Sequence, residues 1–226
     1  MEIDPIGILR TCFGEKFAVP RQPQLCPSAW GVLEFTPEYR SAEAVRGLEG
    51  FSHVWLIFGF HKTEGGGWHP TVRPPRLGGN ERVGVFASRS TFRPNGLGLS
   101  LVKLDRIAWE SEDGKEPPAL HLSGVDLVDG TPVFDIKPYI RYADSIPEAR
   151  SSFATTPPPP VPVLWECQSS VPEEVRVIID QSLAQQPQPA YHDDSDRAYA
   201  TEIGGWRVKW ASKPECARVL SCEKVE

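Results

Sequence analysis

Four short runs rich in β-branched and aromatic residues follow one another with almost no helical pattern between them. They cover residues 51–60, 99–109, 121–125 and 133–136, with turn signals at Asp113-Gly114 and Asp129-Gly130. Such runs predict strands, and Asp-Gly pairs between them predict hairpins. Hairpin-linked strands form an antiparallel sheet that closes or folds on itself, whereas a doubly wound sheet needs a helix after each strand. The sequence therefore predicts a mainly β fold.

Helical patterns occur at two places. Residues 41–50 predict a helix with Ser41 as its N-cap. Ser170 and Glu173 form a capping box that predicts a second helix to about Gln186, with an apolar face of Val175, Ile178, Ile179 and Leu183. Residues 206–210 and 217–222 alternate as strands. The C-terminal part is therefore predicted to be a small α+β unit.

A proline stretch divides the chain. Residues 155–162 read TTPPPPVP, which is a polyproline-like spacer and predicts a boundary between structural units. We accordingly divide the chain into a domain at residues 1–150, a Pro-rich linker at 151–162 and a small C-terminal domain at 163–226.

Residues 72–101 combine arginines, glycines and prolines around a short apolar run. From Arg73 to Arg106 the chain carries seven basic residues against two acidic ones, although the net charge of the whole chain is −6. Guanidinium forks suit carboxylates and phosphates, so the segment indicates a ligand site or an RNA contact of limited footprint. The alternative is a surface hairpin whose arginines are solvated.

Several classes of protein are not indicated. No apolar run approaches a membrane-spanning length and the N-terminus has no secretory pattern, so we expect a cytoplasmic protein without membrane association. Five cysteines without a CxxC pair indicate neither a disulfide framework nor a zinc knuckle. No sequence motif for a metal or for a dinucleotide is present, so we predict no metal.

Six stretches together resemble the TrmO-type tRNA (adenine-N6)-methyltransferases, an S-adenosylmethionine-binding β-barrel family. They are KFAVPRQ (16–22), EGFSHVWLIFGFH (49–61), VRPPRLGG (72–79), RVGVFASRSTFRPNGLGLS (82–100), GVDLVDGTPVFDIKPYIRYADS (124–145) and, more loosely, QPAYHDDSDRAY (188–199). The resemblance implies a closed antiparallel β-barrel methyltransferase domain, a homodimer, and a C-terminal domain that assists tRNA binding. It also implies methylation of N6 of N6-threonylcarbamoyladenosine next to the anticodon of tRNA(Thr).

The resemblance also implies site residues. Contacts to S-adenosyl-L-methionine are carried over to Pro20, Arg21, Gln22, His61, Lys62, Arg89, Leu99, Asp126, Leu127, Val128 and Asp129. The chain departs from the family pattern at Thr91 and Gly96, where prolines are usual, and around Gln186, Ala200 and Gly204.

The chemistry of the residues agrees with this assignment. Arg89 suits a carboxylate, whereas Asp126 and Asp129 can accept hydrogen bonds from ribose hydroxyls or an ammonium group. Without the resemblance, residues 126–130 would read as an ordinary strand and turn.

The basic segment supplies candidate contacts to the phosphates of a tRNA anticodon arm. These are Arg73, Arg76, Arg93 and Lys103, and each alone could equally be a surface charge. Trp68 or Phe92 could stack on a base.

No catalytic residue is assigned; Asp135 and His61 are candidates for accepting a proton. Two alternatives stay open: a methyltransferase acting on another RNA or on a small molecule, and a non-catalytic barrel that binds RNA or nucleotides.

Overall fold

Eight strands form the N-terminal part of the computed structural model, which describes residues 2–63, 66–109, 118–187 and 197–225. These strands are β1 (Gly7–Thr11), β2 (Trp30–Phe35), β3 (His53–Gly59), β4 (Thr71–Val72), β5 (Val83–Gly84), β6 (Leu97–Trp109), β7 (Pro118–Ser123) and β8 (Thr131–Pro138). The predicted strands at 51–60, 99–109, 121–125 and 133–136 are thus confirmed, with shifted ends.

Six of these strands close into an antiparallel barrel in the order β1-β2-β7-β6-β3-β8, with β8 pairing back onto β1. Alternate residues face inward, so that Leu9, Leu33, Leu56 and Leu120 are fully buried in the barrel core. Closure gives each of the six strands a partner on both sides and leaves no free sheet edge among them. The predicted fold class, a mainly β chain with a closed antiparallel barrel, is confirmed. β4 and β5 form a separate two-stranded ribbon.

The predicted hairpin at Asp129-Gly130 is wrong. β7 pairs with β2 and β6, whereas β8 pairs with β1 and β3, so the two strands are not neighbours. Residues 124–130 instead cross one end of the barrel, and Gly130 allows the chain to turn into β8 with a φ of +79°. The predicted turn at Asp113-Gly114 lies outside the described residues.

The helix predicted at residues 41–50 is also wrong. Two 3-10 turns, Glu43–Val45 and Leu48–Gly50, take its place. Gly47 between them has a φ of +82°, which is incompatible with a continuous right-handed helix. A one-turn α-helix, α1 (Arg141–Asp144), follows β8.

The C-terminal part contains α2 (Glu173–Leu183) and the sheet β10-β11-β12-β9, built from β9 (Val163–Trp165), β10 (Ala198–Ile203), β11 (Trp206–Lys213) and β12 (Cys216–Lys224). This confirms the predicted α+β character, and Ile178, Ile179 and Leu183 on the predicted face of α2 are buried. The capping box is wrong: α2 has Pro172 as its N-cap and no side chain caps it by hydrogen bonding.

The barrel and the C-terminal unit share one hydrophobic core. Phe13 forms a β-bridge with Ile203, and the Cys26 Sγ donates to the Ile178 carbonyl over 3.7 Å. Gln181 Oε1 accepts a 2.9 Å hydrogen bond from the Ser28 backbone N–H. The proline-rich segment also packs against this unit, because Val161 N–H donates to the Ala184 carbonyl. The C-terminal unit therefore covers part of the barrel rather than extending away from it.

In the described ranges, no helix has the length and apolar content that crossing a membrane requires.

Candidate functional site

Most of the predicted cofactor residues lie at one end of the barrel. β1 and β3 end there, β6 and β8 begin there, and residues 124–130 cross over it. The register explains this convergence, because Leu9 near the end of β1 is opposite Thr131 at the start of β8, and Gly59 is opposite Leu97. The loops between β1 and β2, β3 and β4, β5 and β6, and β7 and β8 therefore meet around one opening.

Asp126 is the central acid of this end. Its Oδ1 accepts a 2.6 Å hydrogen bond from the Ser100 hydroxyl, and Ser100 is buried on the inward face of β6. Burial raises the pKa of the Asp126 carboxyl to about 6, although the Ser100 hydrogen bond and the charge of Arg89 act in the opposite direction. A half-buried carboxyl that titrates near neutral pH is typical of a functional site.

Arg89 is the central positively charged residue of this end. Its Nη1 donates to Gln22 Oε1, and its charge favours ionisation of Asp126. The structure thus brings together Gln22, Arg89 and Asp126 from three separate segments.

Arg93, a predicted tRNA contact, has a different local role. Its Nη1 donates to the carbonyls of Val85 and Ser88, 3.2 and 2.8 Å away, so it stabilises the loop that carries Arg89. Arg93 also lines a cleft of about 340 Å³, together with Phe86, Pro94, Asn95 and Leu97.

The second predicted acid, Asp129, is held by the end of β1. Its Oδ1 accepts a 2.9 Å hydrogen bond from the Thr11 backbone N–H, and its Oδ2 lies 3.9 Å from Arg10 Nη1. Leu127 is buried and its carbonyl accepts from the Thr11 hydroxyl, whereas Val128 is half-buried. Asp129 and Leu127 therefore fix the crossing segment, and Asp126 is the acid that meets Arg89.

His61 and Lys62 begin the 3-10 turn that follows β3. A Cβ on Gly130 would lie 3.9 Å from His61 Nε2, so the imidazole packs over the turn into β8. Lys16 Nζ donates to the Lys62 carbonyl over 2.9 Å, which joins this turn to the loop after β1. Asp135, the other candidate proton acceptor, accepts from the Ile136 N–H and lies 3.4 Å from Lys137 Nζ.

The remaining predicted cofactor residues differ in exposure. Pro20 is buried and Arg21 is exposed, with Arg21 Nη2 donating to the Gln186 carbonyl over 3.4 Å. Leu99 lies on the outward face of β6, 54% exposed, while its neighbour Ser100 faces inward. The structure therefore does not bring the Leu99 side chain to the Asp126 cluster of the same chain.

The predicted tRNA contacts do not form one cluster. Arg73 is exposed next to β4, whereas Arg76 donates through Nη2 to the Thr156 carbonyl in the proline-rich segment. Lys103 lies on the barrel wall and its Nζ forms a 2.7 Å ion pair with Asp105. Trp68, a candidate stacking residue, is 52% exposed. Arg73 and Trp68 are both exposed to solvent.

Three polar residues at this end were missed from the sequence: Thr11, Ser100 and Ser182. The signal for Ser100 was available, because the alternation of β6 places it in line with the buried Val102 and Leu104. A hydroxyl at an inward strand position needs a partner, here Asp126. Thr11 carries the same signal, because it follows Leu9 on the inward face of β1, and Ser182 lies on the buried face of α2, four residues after Ile178. The sequence does not show their partners, which are backbone carbonyls of distant loops.

Among the residues described, no group of three or more histidine, cysteine, aspartate or glutamate side chains could hold a metal ion. The five cysteines are free, and Cys12 and Cys26 are buried. The site offers the Arg89 guanidinium, the Asp126 carboxyl, whose pKa is about 6, and the backbone turns of residues 124–130. These groups suit a ligand that carries both signs of charge.

Two family sequence models match the chain. The tRNA-methyltransferase O N-terminal domain matches residues 8–145, and the TrmO C-terminal domain matches residues 162–225. Together they take in most of the sequence. The chain belongs to the TrmO family.

Relatives and solved structures agree with the TrmO assignment. The tRNA (adenine(37)-N6)-methyltransferase of Escherichia coli K12 is 46% identical over 221 residues, which is 92% of each chain. A Pseudomonas aeruginosa protein described as a "putative S-adenosylmethionine-dependent methyltransferase" is 46% identical over 96% of each chain. A crystal structure of TrmO from Pseudomonas aeruginosa superposes with a TM-score of 0.78 at 40% identity, covering 98% of this chain and 97% of that one.

The predicted family is therefore confirmed, and with it the prediction of an enzyme of the tRNA methyltransferase class. The motif stretch at 188–199 lies mostly outside the described residues.

Proposed function

We propose that this TrmO-family chain transfers a methyl group from S-adenosyl-L-methionine to N6 of N6-threonylcarbamoyladenosine, next to the anticodon of tRNA(Thr). The observation that carries the proposal is the meeting of Gln22, Arg89, Asp126 and Ser100 at the barrel end. These residues stand in a chain whose relative in Escherichia coli is named a tRNA (adenine(37)-N6)-methyltransferase.

The residues at the barrel end fit S-adenosylmethionine. The ligand carries a carboxylate, two cationic centres, ribose hydroxyls and adenine, so a site for it needs both signs of charge beside apolar surface. Arg89 supplies a fork for the carboxylate, and Asp126 supplies an acceptor for hydroxyl or ammonium groups. When bound, S-adenosylmethionine supplies a methyl group activated on a sulfonium.

The contribution of the protein is mainly positioning. The hydrogen bonds of Asp126 to Ser100 and of Arg89 to Gln22 fix two oppositely charged groups before a ligand arrives. By fixing the donor, these groups would help to hold its methyl group in line with the acceptor nitrogen, and such alignment of two reactants is worth roughly 7–11 kcal/mol in favourable cases. The nitrogen that takes the methyl group releases a proton. The candidates for taking up this proton are His61, Asp135 and solvent.

The test compares tRNA(Thr) carrying the threonylcarbamoyl group with the same transcript lacking it, using methyl-labelled S-adenosylmethionine. We expect label only in the modified tRNA. A third arm, a modified tRNA of another amino acid, tests the preference for tRNA(Thr). Label transfer that ignores the threonylcarbamoyl group would favour another RNA acceptor. Nucleic-acid binding that ignores S-adenosylmethionine, without any turnover, would favour the non-catalytic barrel.

The same proposal includes a division into residues 1–150, 151–162 and 163–226, a homodimer and a cytoplasmic location. Phe86 and Leu99 are 75% and 54% exposed, and both lie in the segment that carries Arg89. Large exposed apolar side chains close to a site support a second subunit that covers them. Light scattering of the purified protein distinguishes a dimer from a monomer.

Donor binding is expected to weaken in acid. Because the pKa of Asp126 is about 6, its carboxylate is ionised above that pH and gains a proton below it. One pH unit below the pKa leaves about one-tenth of the carboxyl charged, so affinity for S-adenosylmethionine should fall about 10-fold between pH 7 and pH 5. Calorimetric titration at each pH measures this, and Asp126→Asn should bind weakly with a flat profile. An equal slope in the variant would contradict the assignment.

Arg73→Ala is expected to weaken tRNA binding without changing donor affinity. Arg73 is exposed in the basic segment, so it is the member best placed for a phosphate. Loss of one phosphate contact should reduce the slope of log affinity against log salt by about 1. Filter binding over a salt series measures the slope. Arg46→Ala, an exposed arginine outside the segment, is the control and should leave the slope unchanged.

A further inference from the structure

Two buried hydroxyls of the C-terminal unit bind the loop that leads to Gln22. Thr201 Oγ1 donates to the Phe17 carbonyl over 2.7 Å, and Ser182 Oγ donates to the Ala18 carbonyl. Thr201 and Ser182 are 0% and 1% exposed. Two consecutive carbonyls of the barrel domain, those of Phe17 and Ala18, thus accept hydrogen bonds from β10 and from α2.

The backbone at this point has an unusual conformation. Ala18 has a φ of +70°, in the left-handed region that a residue with a Cβ rarely adopts. Such a conformation persists only where the surroundings determine it. Ala18 is 2% exposed, and the hydroxyl of Ser182 holds its carbonyl. The C-terminal unit therefore determines the direction in which residues 19–22 leave this turn.

Other contacts anchor the same loop at both ends. The Phe17 ring stacks on Trp210 at 5.3 Å between centroids and lies 5.6 Å from the Tyr199 ring. Four residues further on, Arg21 Nη2 donates to the Gln186 carbonyl. Gln22 then accepts from Arg89. Residues 17–22 are thus held by the C-terminal unit on one side and end at the Arg89 guanidinium on the other.

We propose that Ser182 and Thr201 are positioning residues for the methyl-donor site. Through the carbonyls of Ala18 and Phe17 they hold the loop that places Gln22 against Arg89, although neither hydroxyl reaches Arg89 or Asp126. The C-terminal unit consequently contributes to donor binding in the absence of tRNA, in addition to any contact with tRNA. This inference rests on the proposed function, because it takes the barrel end to be where S-adenosylmethionine binds.

The test uses Thr201→Val, which keeps the shape and removes the hydroxyl, Thr201→Ser, which restores it, and Ser182→Ala. Donor affinity is measured by calorimetry without tRNA, and amide hydrogen exchange of residues 17–24 is measured in the donor-free protein. We expect Thr201→Val and Ser182→Ala to weaken donor binding about 10-fold, the usual effect of losing one buried hydrogen bond. Exchange of residues 17–24 should rise by a similar factor, while β7 and β11 keep their protection.

Thr201→Ser should return both readouts to the wild-type values. Ser169→Ala is the matched control, because the Ser169 hydroxyl accepts from the Val171 N–H within the C-terminal unit and should affect neither readout. Should Ser182→Ala fail to fold, the Thr201 pair carries the test.

Three results would overturn the inference: unchanged donor affinity in both hydroxyl-deleted variants, exchange that rises uniformly over all strands, or no rescue by Thr201→Ser. Wild-type protein that binds no S-adenosylmethionine refutes the proposed function instead, and the exchange of residues 17–24 still reports whether the hydroxyls hold this loop.

Discussion

Arg89→Ala is expected to weaken binding of S-adenosylmethionine at least about 100-fold. Two effects act together: the fork that receives a carboxylate is lost, and Asp126 loses the positive charge that favours its ionisation. Gln22 also loses the donor to its Oε1. Two charge-assisted hydrogen bonds of about 1.5 kcal/mol each give a loss of this size. Calorimetric titration with S-adenosylmethionine and with its demethylated product measures it.

The matched control is Arg73→Ala, which removes an exposed guanidinium from the same basic segment. It should leave donor affinity unchanged, because Arg89 is the arginine whose charge acts on Asp126. If both variants bind the donor like the wild type, Arg89 is not a donor contact and the proposed site is wrong. A fall in donor affinity for both variants would indicate a general effect of positive charge rather than a specific contact from the Arg89 guanidinium.

Gly98→Ala is expected to destabilise the fold by about 1–3 kcal/mol, a typical cost of overpacking a dense interior. A Cβ on Gly98 would lie within 3.0 Å of the Cζ, Cε2 and Cε1 atoms of the Phe58 ring. Phe58 cannot easily move away, because it is 6% exposed and packs edge-on against Phe60 at 5.1 Å. Urea unfolding followed by tryptophan fluorescence measures the change.

Gly84→Ala is the control for this substitution. Gly84 also lies in a short strand, but it has a φ of −58°, and a Cβ added to it would meet open space to a distance of 4 Å. The variant should unfold within about 0.5 kcal/mol of the wild type, because alanine can adopt the same backbone conformation. Equal stability of the two variants would show that β3 and β6 pack less tightly than the structure indicates.

The barrel could be predicted from the sequence, but its strand order could not. Runs rich in β-branched and aromatic residues predict strands at 51–60 and 99–109, since this preference is a local property of the chain. Strand order depends on which strands pair across the barrel, and an Asp-Gly pair looks the same in a hairpin and in a crossover. The turn at Asp129-Gly130 was misassigned for this reason.

The site could be predicted in part for a similar reason. Arg89 stood out as one of five arginines in residues 72–101, whereas Asp126 was assigned only through the family resemblance. The roles of Arg93 and Asp129 could not be separated from those of Arg89 and Asp126, because each binds backbone groups of neighbouring segments. Residue type shows that a side chain can form such bonds, and only the fold shows where its partners are.

The core that joins the barrel to the C-terminal unit leaves no clean line for cutting the molecule in two. Removing residues after 150 would expose the carbonyls of Phe17 and Ala18 and the apolar surface around Phe13 to water. Grafting this barrel onto a foreign second module would fail for the same reason, unless the module brought equivalents of Ser182 and Thr201. The two halves of this enzyme are therefore expected to unfold together and to be engineered as one piece.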